Sequence, residues 1–306
     1  MNAPAKLPPS GQPLRSNGFV LSDAPGRLGR LAPSDPGEGI AALRARFDRD
    51  GYVWLKRFLP RDEVLDFRRH FFAQFEDTGL LAAGSDPREG LWSGDEHEPD
   101  IARQRLMEVV RSAAFESFCL HPNLWRFLDA FVGGPSYLHK RKIIRYTRPR
   151  DISATGAHYD LTYLRGGTDR LVTVWIPIGD VPVAMGGLVY LEGSHAQGRA
   201  MEAEFARDNA HLPAAERISA YNKNMNANGW ITKDLPALAD RLDSRWLIAD
   251  YEAGDVVLHS PYMIHAATCN DDPANRLRLS TDIRYQNVRD EIDARWSNHW
   301  SLGDML

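Results

Sequence analysis

The sequence predicts a mainly β fold, a sandwich or barrel, with flanking helices. Short runs rich in β-branched and aromatic residues dominate the chain after residue 135, and Gly, Asp and Pro separate them. Apolar residues at helical spacing are concentrated before that point. Because no periodic helix lies between each pair of the later strands, the pattern disfavours a parallel sheet with alternating helices.

The elements can be placed in order along the chain. Helices are predicted at residues 40–47, after Pro60 and from Pro122 to Phe131, a first strand at 52–55, and a loop at 80–100. The Phe-rich stripe of the second helix is expected to pack in the core. The later strands are predicted at 137–146, 171–178, 187–191, 246–249, 255–259 and 278–286.

Two segments fall outside this pattern. Residues 1–38 are rich in Pro and Gly, which predicts a flexible N-terminal arm. We expect a single domain over residues 39–306. Within it, residues 196–245 are polar and of mixed helical and loop character. An interruption of that length is typical of a lid or binding loop.

The composition excludes several classes of protein. A net charge of −4 over 306 residues gives no electrostatic basis for binding nucleic acid. No stretch approaches the roughly 18 uninterrupted apolar residues that a membrane span needs, and the N-terminus lacks the apolar segment of a signal peptide. The two cysteines, Cys119 and Cys269, exclude a disulfide framework. We therefore expect a cytoplasmic protein that binds a small molecule, without nucleic-acid or membrane partners.

His158 and Asp160 form the most informative short motif. Residues two apart on a strand point to the same face, so both side chains can meet one ion. A divalent iron site in oxygenases uses two His and one carboxylate on one face of the metal. The C-terminal half offers His259 and His265 as the second imidazole.

Arginines near these residues can hold a carboxylate. Arg276, Arg278 and Ser280 share one face of a predicted strand, and a guanidinium beside a hydroxyl is a good carboxylate cradle. In the basic run at 139–142, Arg141 can face the inside of a barrel and meet an anionic co-substrate or substrate.

In this arrangement the chain resembles the phytanoyl-CoA dioxygenase family of iron(II)- and 2-oxoglutarate-dependent oxygenases. The resemblance covers roughly residues 40 to 287, and its pieces occur in the family order. They are FDRDGYVWLKRFLPRDEV at 47–64, HYD at 158–160, Trp175, MGGLVYLEGSH at 185–195, GDVVLHSP at 254–261, His265, and Arg276 to Ser280.

The resemblance implies a double-stranded β-helix, or jelly-roll, core. It implies that His158, Asp160 and His265 bind iron(II), because the family spacing selects His265 over His259. It also implies roles for residues around the co-substrate. Arg276 would hold the distal carboxylate of 2-oxoglutarate in preference to Arg278, Ser280 would assist it, and Trp175 would lie near the co-substrate pocket.

Two positions bear on how far the resemblance extends. Relatives often carry Ser or Thr two residues after the distal His, where this chain has Ala267. One co-substrate hydrogen bond is therefore not expected here. Halogenating relatives lack the carboxylate that Asp160 supplies, so its presence favours oxygenation.

The resulting hypothesis is an enzyme that oxidises an unactivated C–H bond of a small organic molecule. Dioxygen and 2-oxoglutarate would be its co-substrates, and 2-oxoglutarate would be decarboxylated to succinate. Tyr159 and Tyr163, close in sequence to His158 and Asp160, are candidates for substrate contact. Two alternatives remain at this stage: a metal-dependent jelly-roll enzyme that does not use 2-oxoglutarate, and a non-catalytic binding protein on the same fold.

Overall fold

Two facing β-sheets form the centre of the computed structural model, which describes residues 13–95, 98–221 and 229–304. The strands are β1 (Arg15–Ser16), β2 (Phe19–Val20), β3 (Leu28–Arg30), β4 (Tyr52–Leu55), β5 (Ser136–Leu138), β6 (Ile143–Thr147), β7 (Val172–Pro177), β8 (Leu188–Leu191), β9 (Trp246–Ile248), β10 (Val256–His259), β11 (His265–Ala267) and β12 (Arg278–Asn287). The helices are α1 (Ile40–Asp50), α2 (Arg61–Ala73), α3 (Pro99–Val110), α4 (Ala113–Cys119), α5 (Pro122–Val132), α6 (Leu161–Leu164), α7 (His195–Asp208), α8 (Ala214–Arg217) and α9 (Leu235–Arg241).

The larger sheet has six strands in the order β4-β10-β7-β12-β5, with β6 also paired to β12. The smaller sheet has four strands in the order β11-β8-β9-β3. Aromatic rings from both sheets pack between them. Tyr52 of β4 stacks on Tyr190 of β8 with ring centroids 5.9 Å apart, and Trp175 of β7 meets Tyr251 at 4.7 Å. This arrangement confirms the predicted mainly β fold with flanking helices.

Strand β12 organises the larger sheet. It pairs with β7 along one edge and with β5 and β6 along the other. The single strand predicted at 137–146 is therefore two strands. A tight turn separates them, in which the Lys142 N–H donates to the Lys140 carbonyl at 3.0 Å.

The helices lie where their apolar faces can be covered. Helix α1 ends at Gly51, whose φ of 79° allows its N–H to bond the Phe47 carbonyl before the chain enters β4. In α2, Phe67 stacks on Phe118 of α4 with ring centroids 4.4 Å apart. The predicted loop at 80–100 ends at Pro99, where α3 begins. Within the described ranges, no helix combines the length and apolar character needed to cross a bilayer.

The N-terminal segment differs from its prediction. From residue 13 onward, the supposedly flexible arm forms the β1–β2 hairpin and then β3, which pairs in parallel with β9. The physical reason is that leucines interrupt the Pro and Gly residues. Leu14, Leu21 and Leu28 are all buried in the core. Residues 1–12 of the arm lie outside the described residues.

The interruption at 196–245 contributes three helices, α7, α8 and α9. Residues 222–228 of this segment lie outside the described residues. On either side of that gap, Tyr221 and Trp230 line the cavity beside His158 and His265 that is described below. The segment therefore forms part of that cavity's wall.

Candidate active site

His158 and His265 are brought together by the backbone. The His158 N–H donates to the His265 carbonyl at 3.1 Å, and the His265 N–H donates to the His158 carbonyl at 2.9 Å. This isolated antiparallel bridge joins β11 to the segment before α6. The two imidazole rings consequently lie side by side, with centroids 4.3 Å apart.

Asp160 reaches the same point by a different route from the one predicted. We expected His158 and Asp160 to share a face of one strand. Instead, the chain turns after His158, and Asp160 is the residue from which helix α6 begins. Its Oδ1 lies 3.6 Å from Nε2 of His158 and 3.8 Å from Nε2 of His265. The ligand atoms of all three buried residues lie within 4.8 Å of one another.

The two imidazoles are oriented for metal binding. Nδ1 of His158 donates to the Gly156 carbonyl, and Nδ1 of His265 donates to the Met263 carbonyl, each at 2.9 Å. These bonds fix the tautomer and leave each Nε2 lone pair directed at Asp160. Two imidazole nitrogens and one carboxylate oxygen are the donor set of non-haem iron(II) oxygenases. The residues present therefore fit an iron ion.

A second layer of side chains holds the carboxylate of Asp160. Its Oδ2 accepts hydrogen bonds from the Thr173 hydroxyl and from Nε2 of His259, the latter at 3.2 Å. Nδ1 of His259 in turn accepts from the Tyr190 hydroxyl at 3.2 Å. His259 thus positions the carboxylate of Asp160. Of the two histidines, His265 is the one whose Nε2 faces the same carboxylate oxygen as Nε2 of His158. The Arg284 guanidinium donates to Oδ1 of Asp160 at 2.9 Å.

The electrostatics favour the metal-binding protonation states. Burial opposes ionisation of Asp160, but Arg284 and the neighbouring imidazoles outweigh it and hold the pKa of this carboxyl well below its usual range. Burial, followed by the charges of His158 and His259, lowers the pKa of His265. An ionised carboxylate beside a neutral imidazole is what a metal ligand set requires.

The triad opens into a cavity of about 230 Å³. Three arginines, Arg141, Arg145 and Arg284, line it together with His158 and His265. The remaining lining residues are Ile143, Thr155, Tyr163, Leu188, Tyr221, Trp230, Asp282, Trp296, Trp300, Ser301, Leu302, Gly303 and Asp304. The cavity thus combines charged side chains of both signs with aromatic rings. Its arginines can hold an anionic group, and its rings can contact an apolar body.

The structure places some predicted site residues at this cavity and others away from it. Arg141 and Tyr163 line it. The Tyr159 hydroxyl donates to Glu202 at 2.9 Å, and this side chain lines a separate depression. Trp175 pairs across from the cavity-lining Asp282, but its ring is buried against Tyr251. Tyr159 lies between His158 and Asp160 in the sequence and faces away from them, as alternation along an extended segment predicts.

Arg276 also lies away from the triad. Its Nε donates to Asp272 at 2.8 Å, and its side chain lines a different depression together with Arg68 and Arg88. Arg276 lies before the first residue of β12, so its side chain does not follow the alternation of side chains along that strand. Arg278 and Ser280 belong to β12 and are buried.

Arg278 is buried at the start of β12. Its guanidinium donates to the Gly186 carbonyl and, at 2.9 Å, to the Thr147 hydroxyl. Nε of Arg278 has no hydrogen-bond partner among the described residues. Burial lowers the pKa of Arg278 to about 10. The adjoining pocket that Arg278 lines shares Arg145 and Thr155 with the triad cavity.

Sequence reasoning missed Arg284, Thr173 and the C-terminal segment. Arg284 lies six residues after Arg278 in a predicted strand, so strict alternation could have found it. Thr173 lies in another predicted strand. The wall formed by residues 296–304 left no pattern, because this segment is irregular and its position depends entirely on tertiary packing.

Comparisons with known proteins agree with this site. The phytanoyl-CoA dioxygenase (PhyH) family model matches residues 47–277. A 1-deoxypentalenic acid 11-beta-hydroxylase of Streptomyces exfoliatus is 26% identical over 259 residues, which cover 80% of each chain. The enzyme of the same name from Streptomyces arenae is 25% identical over 252 residues, with the same coverage.

Solved structures share the fold. The epimerase SnoN from nogalamycin biosynthesis, in complex with Fe³⁺, alpha ketoglutarate and nogalamycin RO, superposes with a TM-score of 0.55 at 20% identity, over 87% of this chain and 93% of its own. The alpha ketoglutarate dependent carbocyclase SnoK superposes with a TM-score of 0.54 at 22% identity, over 90% of this chain and 96% of its own.

The fold, the His-Asp-His site and the matching family model together define a jelly-roll enzyme of the iron- and 2-oxoglutarate-dependent oxygenase class. Within that class, the chain belongs to the phytanoyl-CoA dioxygenase family, whose model matches most of its length. The predicted family, fold, cofactors and reaction class are confirmed. Membership favours the oxygenase over a jelly-roll enzyme without 2-oxoglutarate and over a non-catalytic binding protein.

Proposed function

We propose that the protein hydroxylates an unactivated C–H bond of a small organic molecule bound in the cavity beside the triad. The observation that carries this proposal is that the triad opens, through His158 and His265, into a cavity lined by arginines and aromatic rings. Iron bound there would activate dioxygen at the expense of 2-oxoglutarate, which is converted to succinate and carbon dioxide.

The side chains around the triad would position and protect the reacting groups. Thr173 and His259 hold one oxygen of Asp160, so that the other stays directed at the metal position. Trp230, Trp296 and Trp300 cover the cavity and would exclude water from it. The chain thus supplies orientation and a dry enclosure, which is the usual contribution of the protein in a metal-dependent oxidation.

For the distal carboxylate of 2-oxoglutarate, the geometry supports Arg278 over the predicted Arg276. Arg278 is buried on the inner face of β12, and its Nε has no partner among the described residues. It contributes to the pocket that adjoins the triad cavity and shares Arg145, Thr155 and Trp230 with it. Arg276 already pairs with Asp272 through both of the carboxylate oxygens of that residue. Ser280 follows Arg278 on the same face of β12 and would assist it.

The substrate is proposed to be an organic molecule with a substantial apolar part. Tyr163, Leu188 and the cavity tryptophans offer flat and apolar surfaces. The Streptomyces relatives are named as hydroxylases of 1-deoxypentalenic acid, an organic acid, which supports a ligand of this general kind.

We also propose a cytoplasmic location. Cys119 and Cys269 are both free and buried, as expected in a reducing compartment. The net charge of −4 supports the absence of a nucleic-acid partner.

The proposal is tested by incubating the protein with Fe(II), 2-oxoglutarate and air and measuring succinate. Candidate organic acids are then added, and mass spectrometry is used to find a product that has gained one oxygen atom. We expect succinate formation that is lost in His265→Ala and retained in His121→Ala, because His121 caps α5 at the surface. Absence of succinate from folded, iron-loaded protein would refute the proposal.

A further inference from the structure

Arg141 occupies a position in the cavity wall that suits a substrate anchor. It lies in the turn between β5 and β6, and its side chain is only 4% exposed. Its guanidinium lies over the ring of Trp296, 5.4 Å from the centroid. A nearly buried guanidinium on an aromatic face is a strong and directional carboxylate binder.

The carboxylate now paired with Arg141 comes from the C-terminal segment. Both oxygens of Asp304 accept hydrogen bonds from the two terminal nitrogens of Arg141. Asp304 lies in the last described turn, where it also accepts the Ser301 N–H at 3.0 Å. Within this turn, Leu302 is 46% exposed although it lines the cavity. An internal carboxylate in a partly exposed turn thus occupies the guanidinium of Arg141 inside the cavity.

The Arg141 position differs from the one proposed for 2-oxoglutarate. Arg141 lies near Arg284 of β12, since both guanidinium groups lie over the ring of Trp296, 5.4 and 5.2 Å from its centroid. Arg278 lies six residues away on the same strand, which is roughly 20 Å of extended chain. Arg278 and Arg141 thus mark two separate positions along β12. Each guanidinium can hold one carboxylate, so the carboxylate of a second molecule would suit the Arg141 position.

We infer that the substrate carries a carboxylate and that Arg141 binds it in the place that Asp304 now occupies. This inference rests on the proposed function. The substrate class is then an organic acid whose apolar body lies against Trp296 and Trp300 and whose oxidised C–H bond faces His158 and His265. Asp304 acts as an internal competitor that must leave Arg141 when the acid enters.

The test uses cyclohexanecarboxylate as the probe and cyclohexanecarboxamide as its neutral counterpart. Both are titrated calorimetrically into anaerobic protein loaded with Fe(II) and 2-oxoglutarate. We expect Asp304→Asn to bind the carboxylate about tenfold more tightly than the natural chain, because removing the competitor raises the fraction of protein competent to bind. The carboxamide should show no such gain.

Two further variants separate this inference from a structural role of the ion pair. Adding Arg141→Met to Asp304→Asn should abolish the gain in carboxylate binding. Asp86→Asn is the matched control, since Asp86 makes a similar two-oxygen pair with Arg69 at the surface, and it should change nothing.

The inference is overturned if Asp304→Asn gives no gain, if the carboxamide gains equally, or if the gain survives the loss of Arg141. A lower unfolding temperature without any change in carboxylate binding would mean that the pair is only a structural latch. Failure of the proposed function is distinguished by a separate readout, because in that case the natural chain would form no iron(II)–2-oxoglutarate chelate at all.

Discussion

Asp160 shows how single residues define this site. Its Oδ1 faces the Nε2 atoms of both ligand histidines, while Oδ2 is held by Thr173 and His259. A carboxylate held at both oxygens has one orientation, so the three ligands are arranged before any metal arrives. The sequence alone predicted that His158 and Asp160, which are two residues apart, both belong to the site. The turn that places Asp160 at the start of α6 could not, because it depends on the backbone bridge to β11.

Removing the hydroxyl at Thr173 tests this orientation. We expect Thr173→Val to weaken Fe(II) binding by about 10- to 100-fold, the usual effect of losing a residue that orients a metal ligand. Fe(II) affinity is measured by anaerobic titration. Thr168→Val serves as the control, because the Thr168 hydroxyl accepts from the Arg170 N–H in a loop away from the cavity. Equal affinities in the two variants would show that Thr173 does not position Asp160.

His139 predicts how stability depends on pH. Burial, with a further contribution from Arg284, lowers its pKa from 6.5 to about 4, although the hydrogen bond to Gln286 opposes this. In the unfolded chain the same histidine takes up a proton near its ordinary pKa. As the pH falls from about 6.5 toward 4, the unfolded state therefore binds more protons and the free energy of unfolding decreases.

We expect this single group to remove up to about 3 kcal/mol over that pH interval. Urea unfolding at pH 7.5, 6.0 and 5.0 measures the effect. In His139→Gln the decrease should be smaller than in the natural chain, since glutamine does not titrate. His70→Gln, at an exposed position of α2, should leave the slope unchanged. A steeper decrease in His139→Gln would contradict the assignment.

Among the secondary-structure elements, strand β12 contributes the most side chains to the proposed site. Arg278, Asp282 and Arg284 follow one another on its inner face, so one strand carries the proposed co-substrate anchor and the arginine beside Asp160. The sequence pattern predicted this strand, and it predicted that Arg276, Arg278 and Ser280 share one of its faces. It could not separate Arg276 from Arg278, because both fall on the same alternation. The structure separates them, since β12 begins at Arg278 and the chain before it turns outward to Asp272.

A pair of variants at the start of this strand tests the anchor. We expect Arg278→Met to raise the Kd for 2-oxoglutarate by about 10- to 100-fold, because a hydrogen bond to a charged group contributes roughly 1.5–3 kcal/mol. Arg276→Met should leave that Kd close to its original value. The measurement is an anaerobic titration of the Fe(II)-loaded protein with 2-oxoglutarate. The reverse ranking of the two variants would restore Arg276 as the anchor.

Other elements show where local patterns suffice and where they do not. Helices α1, α2 and α5 and strands β7 to β10 follow from apolar periodicity in the sequence. Strand β11 was not predicted, because three residues carry too little pattern and the pairing with β8 defines it. The N-terminal hairpin was hidden by its Pro and Gly content, although its leucines pack in the core.

At the scale of the whole molecule, the cavity unites segments that are distant in sequence. The ligands come from residues 158–160 and from His265, and cations come from the β5–β6 turn and from β12. The outer wall comes from residues 296–304 and from Tyr221 and Trp230, which flank residues 222–228. The family resemblance predicted His158, Asp160 and His265 as the ligand set, and these three residues come together in the structure. The composition of the wall, which selects the substrate, follows only from how these segments pack.

The most direct test of the account is an anaerobic titration of metal-free protein with Fe(II) and 2-oxoglutarate. The iron(II) chelate of 2-oxoglutarate has a visible charge-transfer band, which reports the complete site. We predict that the band forms in the natural chain and in His121→Ala, and that it is absent in His158→Ala. Folded natural protein that binds Fe(II) but shows no band on addition of 2-oxoglutarate would contradict the central claim.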